Sequence, residues 1–293
     1  MATREDAKKT IDELLTQYQL HPELQDIFVE GAWDRSVVQW VLRHAGINNP
    51  VIYDIEAVEI PFELAKKHYP FDGKKGRVIA LANELDGKLA HSSQVTCVAD
   101  ADFDNLLGIH CKSALLFQTD YCCQEMYFFS PVVIDKFLSL AFRSYPYSAQ
   151  HLIAAIGPPL RELHLLRAAN QKLMFGLHRI KLKNCCSLKG DTFVVDIDGY
   201  KIRYLGSKGR IKDLEMFNAT IESLRQELKG DVRYHISKTD FFELLAEYLP
   251  YYSKESIWNS PKVIEASLLP AVDAGDIMKE HMYANLIERL RRS

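Results

Sequence analysis

The sequence lacks any long hydrophobic segment. No apolar run approaches the roughly eighteen residues that a membrane-spanning helix needs. The opening stretch, MATREDAKKTIDELLTQYQL, is a charged amphipathic pattern without the apolar centre of a secretion signal. We therefore expect no membrane segment and a cytoplasmic protein.

Cysteine motifs and a strong net charge are also missing. The chain has 6 cysteines, and its adjacent pairs Cys122–Cys123 and Cys185–Cys186 suit neither a C-x-x-C zinc site nor an evenly spaced disulfide framework. Reduced, buried thiols are the expectation for a cytoplasmic protein. A net charge of only -3 provides no overall basic field, although a local basic face can still bind nucleic acid.

Two further motifs are absent. No G-x-x-x-x-G-K-[ST] occurs, so the chain lacks the P-loop route to ATP binding. The 10 histidines include no H-E-x-x-H and no clustered zinc spacing. A composition of 47% hydrophobic and 26% charged residues is that of a globular protein.

Strand and helix patterns alternate in the first half of the chain. Apolar strands are predicted at DIFVEG, from Val51 to Ile60, at QVTCVAD and at ALLFQTD, with helices at DRSVVQWVLRHAG and KGRVIALANELDGKL between them. Near-continuous apolar strands that alternate with helices are typical of a mostly parallel sheet flanked by helices. We therefore predict an α/β fold.

The second half reads differently. It is mostly helical, with a predicted helix break at Pro158-Pro159. DTFVVDIDGYKIRYL alternates apolar and polar residues around Asp198-Gly199, which predicts a β-hairpin. We expect an α/β domain over residues 1–145, which would hold any active site, and a helical and hairpin lobe over 146–293, the lobe serving substrate, partner or oligomer contacts.

Acidic residues gather where predicted strands end. Glu30 follows the first strand, and Asp100, Asp102 and Asp104 follow the third at alternate positions. In parallel sheets, sites form outside the carboxyl ends of the strands. Carboxylates this dense raise one another's pKa unless a cation compensates, and Mg²⁺ prefers such oxygen ligands. The alternative is an ordinary polar turn. Asp34 is either a further ligand or a helix cap, and Asp104 is an auxiliary ligand or caps the loop.

These segments resemble the TOPRIM signature, the metal-binding fold of topoisomerases, primases and OLD-type nucleases. VEGAWD, followed by VADADFD, matches its order of a strand-end Glu-Gly and a later Asp-x-Asp. More closely, the chain is similar to the bacterial TOPRIM-like family DUF4435, through FVEGAWD, CVADADFDN, TDYCCQEMYFF and ISKTDFFELL. That family includes the nuclease effector of the PARIS anti-phage defence system, whose partner is an ABC-type ATPase.

The resemblance implies roles for individual residues. Glu30, Asp100 and Asp102 become the catalytic, metal-binding carboxylates, with Mg²⁺ or alternatively Mn²⁺ as the ion. Glu30 either holds a second ion or acts as general base. Glu125 falls where relatives carry an acidic residue near the site, although a solvated residue before a helix is an equal alternative. Asp120 is a weaker candidate.

The resemblance also implies a function. The chain would be a toxic Mg²⁺-dependent endonuclease that acts in abortive infection. It would be released from an ABC-type ATPase partner and would be a dimer when active. RNA, with host tRNA first, is the expected substrate. The alternatives are an OLD-type DNA endonuclease and a non-catalytic TOPRIM subunit of an ATPase complex.

One basic segment is a candidate nucleic-acid surface. It lies around Tyr200 and Tyr204 and contains Lys201, Arg203, Lys208, Arg210 and Lys212. A basic hairpin with interleaved aromatic residues suits phosphate contact and base stacking. The alternative is a solvated hairpin face whose charges pair with one another.

Overall fold

The computed structural model of the chain describes residues 8–89 and 94–292. They form two compact units, neither of which is continuous in sequence. The first unit contains the described residues up to 101, residues 110–120, and those from 274 onward. The second contains residues 102–109 and 121–273. These bounds differ from the expected division after residue 145, because the C-terminal helix belongs to the first unit.

The first unit is built on a parallel sheet, as the sequence predicts. In chain order its described strands are β1 (Lys9–Thr10), β2 (Asp26–Val29), β3 (Val51–Asp54), β4 (Val58–Glu59), β5 (Val95–Ala99) and β6 (Leu116–Gln118). Four of them form a parallel sheet in the order β3-β2-β5-β6, while β1 and β4 pair separately. The fold is therefore α/β.

The central strands β2 and β5 are buried along their whole length. Strands covered on both faces need near-continuous apolar sequence, which DIFV and VTCVA supply. Their register pairs Val29 with Val98, so the two strands end within one residue of each other. The predicted strand from Val51 to Ile60 is wrong as a single strand. It is divided by a 3₁₀ turn (Ile55–Ala57), because the buried Ile55 turns the chain into β4.

Helices cover this sheet. In the first unit they are α1 (Ile11–Leu20), α2 (Ala32–His44), α3 (Phe62–His68), α4 (Lys74–Leu85), α12 (Ala274–Ile277) and α13 (His281–Arg291). The apolar core includes Tyr18 and Phe28. Helix α12 packs on α2 and α13 on β6. Arg289 donates to the Val95 carbonyl at 3.1 Å, which ties the C-terminal helix to the sheet.

The second unit is mainly helical. Its helices are α5 (Asp104–Leu107), α6 (Pro131–Phe137), α7 (Ala149–Lys172), α8 (Ile197–Gly206), α9 (Leu214–Glu227), α10 (Lys238–Tyr248) and α11 (Pro261–Leu268). An antiparallel hairpin joins β7 (Cys186–Lys189) to β8 (Thr192–Val195). Within residues 8–89 and 94–292, we find no helix whose length and hydropathy would let it cross a bilayer.

Helix α7 runs through Pro158-Pro159, so the predicted break is wrong. Each proline removes one N–H donor from the helix interior. The helix nevertheless buries Leu152, Ile156 and Leu160 on its inner face. Tertiary packing of an apolar face supplies most helix stability in proteins, so it can outweigh the missing hydrogen bonds.

The predicted hairpin at Asp198-Gly199 is also wrong, since these residues open helix α8. The Asp196 carboxylate caps the helix by accepting from the Gly199 N–H at 2.9 Å. A Cβ at Gly199 would lie 2.1 Å from Asp196 Oδ2, so glycine allows this close cap. The actual hairpin turns earlier, at Gly190, which has a φ of 59°. An Asp followed by Gly suits both a helix cap and a tight turn, and the local sequence does not separate them.

Candidate active site

The order of the sheet defines where a site should form. The chain runs from β2 through α2 to β3 on one side, and the next strand of this sheet, β5, lies on the other side of β2. Ligands of open parallel sheets bind outside the carboxyl ends of the strands, where the strand order reverses. Here that point lies between β2 and β5. Glu30 follows the first of these strands and Asp100 the second.

Glu30 and Asp100 are in direct contact. The backbone N–H of Asp100 donates to Glu30 Oε1 at 2.9 Å, across 70 residues of sequence. Both residues are half-buried. The two acidic segments that the sequence predicted to lie together therefore meet at the switch point of the sheet.

Asp34 serves the start of helix α2. It is the third residue of the helix, and its Oδ2 accepts from the Gly31 N–H at 3.0 Å. A carboxylate in the first turn of a helix satisfies an otherwise unbonded N–H and interacts favourably with the helix dipole. Of the two predicted roles, the structure supports the cap. Metal binding by Asp34 stays a prediction.

Two residues, Thr119 and Lys75, form hydrogen bonds with the loop that follows β5. Thr119, just after β6, donates its own N–H to the Ala99 carbonyl at 3.0 Å, and its hydroxyl accepts from the Ala101 N–H at 2.9 Å. Lys75 in α4 donates from Nζ to the Ala101 carbonyl at 2.8 Å. Ala101 lies between Asp100 and Asp102, so the hydrogen bonds that Thr119 and Lys75 make with Ala101 fix the backbone of the acidic motif.

Lys75 is a site residue that the sequence did not reveal. It is only 5% exposed, and its Nζ lies 5.2 Å from the centre of the Tyr69 ring. Its only sequence signal is the run Gly73-Lys74-Lys75-Gly76 before an apolar helix. A lysine in such a run is normally solvated. A buried lysine needs polar partners, so its contact with the acidic loop is a specific structural feature.

Asp120 has a structural contact at the end of β6. Its two carboxylate oxygens accept from the Met282 N–H at 3.0 and 2.9 Å. Met282 lies in the first turn of α13, where backbone N–H groups have no partner within the helix. This weaker candidate for the site therefore anchors the C-terminal helix.

Asp102 and Asp104 belong to the second unit. Asp102 has a φ of 48°, a conformation uncommon outside glycine, and its N–H donates to the Cys122 carbonyl at 2.7 Å. Asp104 is buried and opens the short helix α5. The ring of Phe103, between them, lies 4.8 Å from that of His164. Burial lowers the pKa of His164 to about 3, so this imidazole is neutral at physiological pH.

Glu125 is paired with a lysine inside the second unit. It is 4% exposed, so the predicted alternative of a solvated residue is wrong. Lys238 Nζ lies 2.7 Å from Glu125 Oε1 and 2.8 Å from Glu265 Oε1. Burial favours the neutral amine, but the two carboxylates outweigh it and raise the pKa of Lys238. The segments TDYCCQEMYFF and ISKTDFFELL, which carry part of the family resemblance, thus meet through an ion pair.

The basic segment lies on helix α8 and the turn after it rather than on a hairpin. Lys201 pairs with Asp198 at 2.8 Å, and Arg203 donates to the Cys185 sulfur. Arg210 pairs with Asp213 at 3.3 Å, whereas Lys208 and Lys212 are exposed. The predicted charge pairing is therefore present at part of this surface. Nucleic-acid binding by these five basic residues stays a prediction.

The tyrosines of that segment are not available for base stacking. Tyr200 and Tyr204 are 0% and 1% exposed, and their rings stack with centres 6.0 Å apart. The Arg167 guanidinium lies 5.3 and 4.7 Å from the two ring centres. The expected stacking role is wrong because both rings lie in the core, on the one face of the helix that positions i and i+4 share.

The carboxylates at the switch point suit a divalent cation by their chemistry. Mg²⁺ is commonly held by one or two carboxylates, with water and substrate phosphate completing its shell. Glu30 and Asp100 supply such oxygens, and a carboxylate has about four lone-pair sites, so the hydrogen bond to Oε1 does not prevent coordination. No group of three or more His, Cys, Asp or Glu that could hold a metal occurs in the part of the chain that the structure describes.

No protein-family model matches the chain, and no curated protein matches it. The expected resemblance to TOPRIM proteins therefore depends on the four sequence segments alone.

Proposed function

We propose that this chain is a Mg²⁺-dependent TOPRIM-type nuclease. The main support is the hydrogen bond between Glu30 and Asp100, which joins the strand-end Glu-Gly to the Asp-x-Asp at the switch point of a parallel sheet. An arrangement of acidic residues at this point is the feature that the TOPRIM resemblance requires.

The chain's own residues would act by position and charge. Glu30 and Asp100 would hold the ion, and the backbone hydrogen bond keeps the Glu30 carboxylate in place. Once bound, a divalent cation polarises a phosphodiester and lowers the pKa of water. Lys75 places its amine beside the acidic loop, where an ammonium group would favour an anionic phosphate. Asp102 is the third proposed catalytic carboxylate.

We infer the biological role from the resemblance. The nuclease would be a toxic effector of anti-phage defence, restrained by an ABC-type ATPase and active, as a dimer, on RNA, with tRNA as the first candidate. Mn²⁺ would be the alternative to Mg²⁺ as the bound ion. Asp104, Asp34 and Glu125 remain proposed auxiliary ligands, and Glu125 would have to exchange its Lys238 partner for the ion.

The test compares toxicity and cleavage in matched variants. The wild type, Glu30→Gln and Asp100→Asn are expressed in cells without any partner ATPase, and the purified proteins are incubated with tRNA or plasmid DNA, with Mg²⁺ or EDTA. We expect toxicity and Mg²⁺-dependent tRNA cleavage from the wild type alone. Sequencing of RNA ends identifies the cleavage position.

Asp54→Asn is the matched control. Asp54 ends β3 at the same edge of the sheet, one strand away from the switch point, and pairs with Arg35 at 3.5 Å. We expect this variant to keep full activity. Equal toxicity of wild type, Glu30→Gln and Asp100→Asn, with no cleavage of either substrate, would refute the nuclease. Cleavage of DNA with intact tRNA would favour an OLD-type enzyme.

A further inference from the structure

The first unit contains a pocket that none of the proposed nuclease residues lines. Its volume is about 480 Å³, and it lies between α3, the first turns of α4 and the end of β4. Four cationic side chains line it, Lys8, Lys66, Lys74 and Arg77, against two carboxylates, those of Glu59 and Asp72. We propose that this pocket binds a mononucleotide, with its phosphate at the lysines and its base against Phe71 and Phe62.

The charges favour a phosphate over the carboxylates now present. Lys66 pairs with Asp72 at 2.6 Å, and Lys74 with Glu56 at 2.9 Å. Both carboxylates are well exposed, at 69% and 57%, and exposed ion pairs contribute little to stability. A phosphate carries up to two charges and makes stronger charge-assisted hydrogen bonds, so it can displace them.

Arg77 forms a fixed part of the wall. Its Nη2 donates to the carbonyls of Ile55 and Val58 at 3.2 and 2.7 Å. These contacts hold the guanidinium in place before any ligand arrives, which reduces the entropy lost on binding. Among the described residues, its buried Nε makes no hydrogen bond.

Apolar surfaces face the same space. Phe71 packs edge-on against Tyr69, with ring centres 5.7 Å apart, and Phe62 is exposed. Lys66 Nζ lies 5.6 Å from the Phe62 ring centre, so cationic and aromatic surfaces adjoin. A flat base bearing a phosphate matches this combination, and the volume is in the usual range of about 300–1,000 Å³ for ligand sites.

Gly73, just before α4, also lines the pocket. Its φ of 134° is accessible essentially only to glycine, and a Cβ there would meet no atom within 4 Å. This inference concerns binding alone and does not depend on the nuclease proposal.

The test is isothermal titration calorimetry of the full chain with AMP, inorganic phosphate and adenosine as separate probes. We expect AMP to bind more tightly than either fragment. Lys66→Ala and Lys74→Ala should each weaken AMP binding about tenfold, the loss expected for one charge-assisted hydrogen bond. Circular dichroism checks that each variant is folded.

Lys67→Ala is the control, since Lys67 follows Lys66 in α3 but pairs with Glu84 at 3.3 Å and does not line the pocket. Its affinity for AMP should equal that of the wild type. The proposal fails if AMP gives no heat at millimolar concentration, if adenosine binds as well as AMP, or if Lys67→Ala loses as much affinity as Lys66→Ala. Tighter, Lys66-dependent binding of a short oligonucleotide would also overturn it, in favour of nucleic acid.

Discussion

Asp26 and Glu30 lie at opposite ends of the same buried strand, and their carboxylates are held in different ways. At the amino end of β2, buried Asp26 accepts a hydrogen bond from the Tyr18 hydroxyl at 2.8 Å. At the carboxyl end, half-buried Glu30 accepts from the backbone N–H of Asp100 at 2.9 Å. Burial raises the pKa of Asp26, although the hydrogen bond from the Tyr18 hydroxyl favours the ionised carboxylate and opposes the shift.

The two carboxylates differ in role because they lie at different ends of β2. The Tyr18 hydroxyl ties helix α1 to the strand, so the contact of Asp26 serves packing. The contact of Glu30 instead joins the ends of two neighbouring strands. Since ligand sites of parallel sheets form at the carboxyl ends, the position along β2 separates these two acids more clearly than their burial does.

Asp240 in the second unit represents a third arrangement. It lies 3.1 Å from Arg167 and 2.8 Å from Arg179, and it accepts from the Ser237 hydroxyl at 2.8 Å. Burial would raise the pKa of Asp240, but the two guanidinium groups outweigh burial and lower it. This carboxylate has its counter-charges within the fold and needs no ligand.

The largest effect is expected from breaking the Asp240 cluster. Asp240→Ala leaves two guanidinium groups without their buried counter-charge and should lower the free energy of unfolding by about 3–5 kcal/mol. Urea titration measures it. Asp198→Ala, which removes an exposed ion pair with Lys201, should change little. If Asp240→Ala and Asp198→Ala lowered the free energy of unfolding equally, the ion pairs of Asp240 with Arg167 and Arg179 would not stabilise the fold as described.

Glu30→Gln tests the carboxyl end of β2. The amide keeps an oxygen for the Asp100 N–H but loses the charge that a cation needs. We expect Mg²⁺-dependent cleavage to fall by at least about 100-fold, roughly 2.7 kcal/mol of transition-state stabilisation, with little change in stability. Initial rates at several Mg²⁺ concentrations measure it. Full activity in this variant would remove Glu30 from the site.

Asp34→Ala distinguishes a cap from a ligand at the start of α2. Loss of the carboxylate that accepts from the Gly31 N–H should cost about 1 kcal/mol of stability. Asp34→Asn keeps an oxygen for this hydrogen bond and should recover most of the loss. If either variant abolishes Mg²⁺-dependent cleavage while remaining folded, Asp34 is a ligand as well as a cap.

The smallest effect is a pH dependence at the amino end of β2. Because folding raises the pKa of Asp26, the native state binds its proton more tightly, and wild-type stability falls as pH rises from the ordinary aspartate pKa to the raised one. Asp26→Asn has no carboxyl group to titrate, so its free energy of unfolding should not fall in this way. Relative to the wild type, its stability should increase between the ordinary and the raised aspartate pKa.

Asp240 should give the opposite slope. Its pKa is lowered by folding, so its contribution is present above the ordinary aspartate pKa and is lost as pH falls towards the lowered value. Urea titrations of Asp26→Asn and Asp240→Asn across acidic pH compare the two slopes. If the stability contributions of Asp26 and Asp240 changed with pH in the same direction, the contrast would be contradicted. Burial penalises the charged form of Asp26, whereas guanidinium groups stabilise that of Asp240.

The parallel sheet and the Glu30–Asp100 contact were predictable from sequence. The apolar runs of β2 and β5 are strong strand signals, and parallel strands place their carboxyl ends at one edge of the sheet. The site residue Lys75 was not predictable, because a lysine pair before a helix is ordinarily solvated and only the fold brings its amine to the Ala101 carbonyl.

Elsewhere the local sequence allowed two structures. The segment around Asp198-Gly199 fits both a hairpin turn and a helix start. Tyr200 and Tyr204 would share one face in either structure, but a strand would place Ile202 on that face too. Ile202 is 47% exposed, which fits the helix. The division into units likewise depends on contacts far apart in sequence, such as that of Arg289 with Val95.

By itself the sequence determined the α/β class, the carboxyl ends of β2 and β5 and the two acidic segments, because these follow from local apolar patterns and the geometry of parallel strands. Tertiary structure alone decided which carboxylates have internal counter-charges, where Lys75 donates and which helix covers β6. Those outcomes depend on side chains that lie far apart along the chain, and their burial and pairing energies exist only once the fold has brought them together.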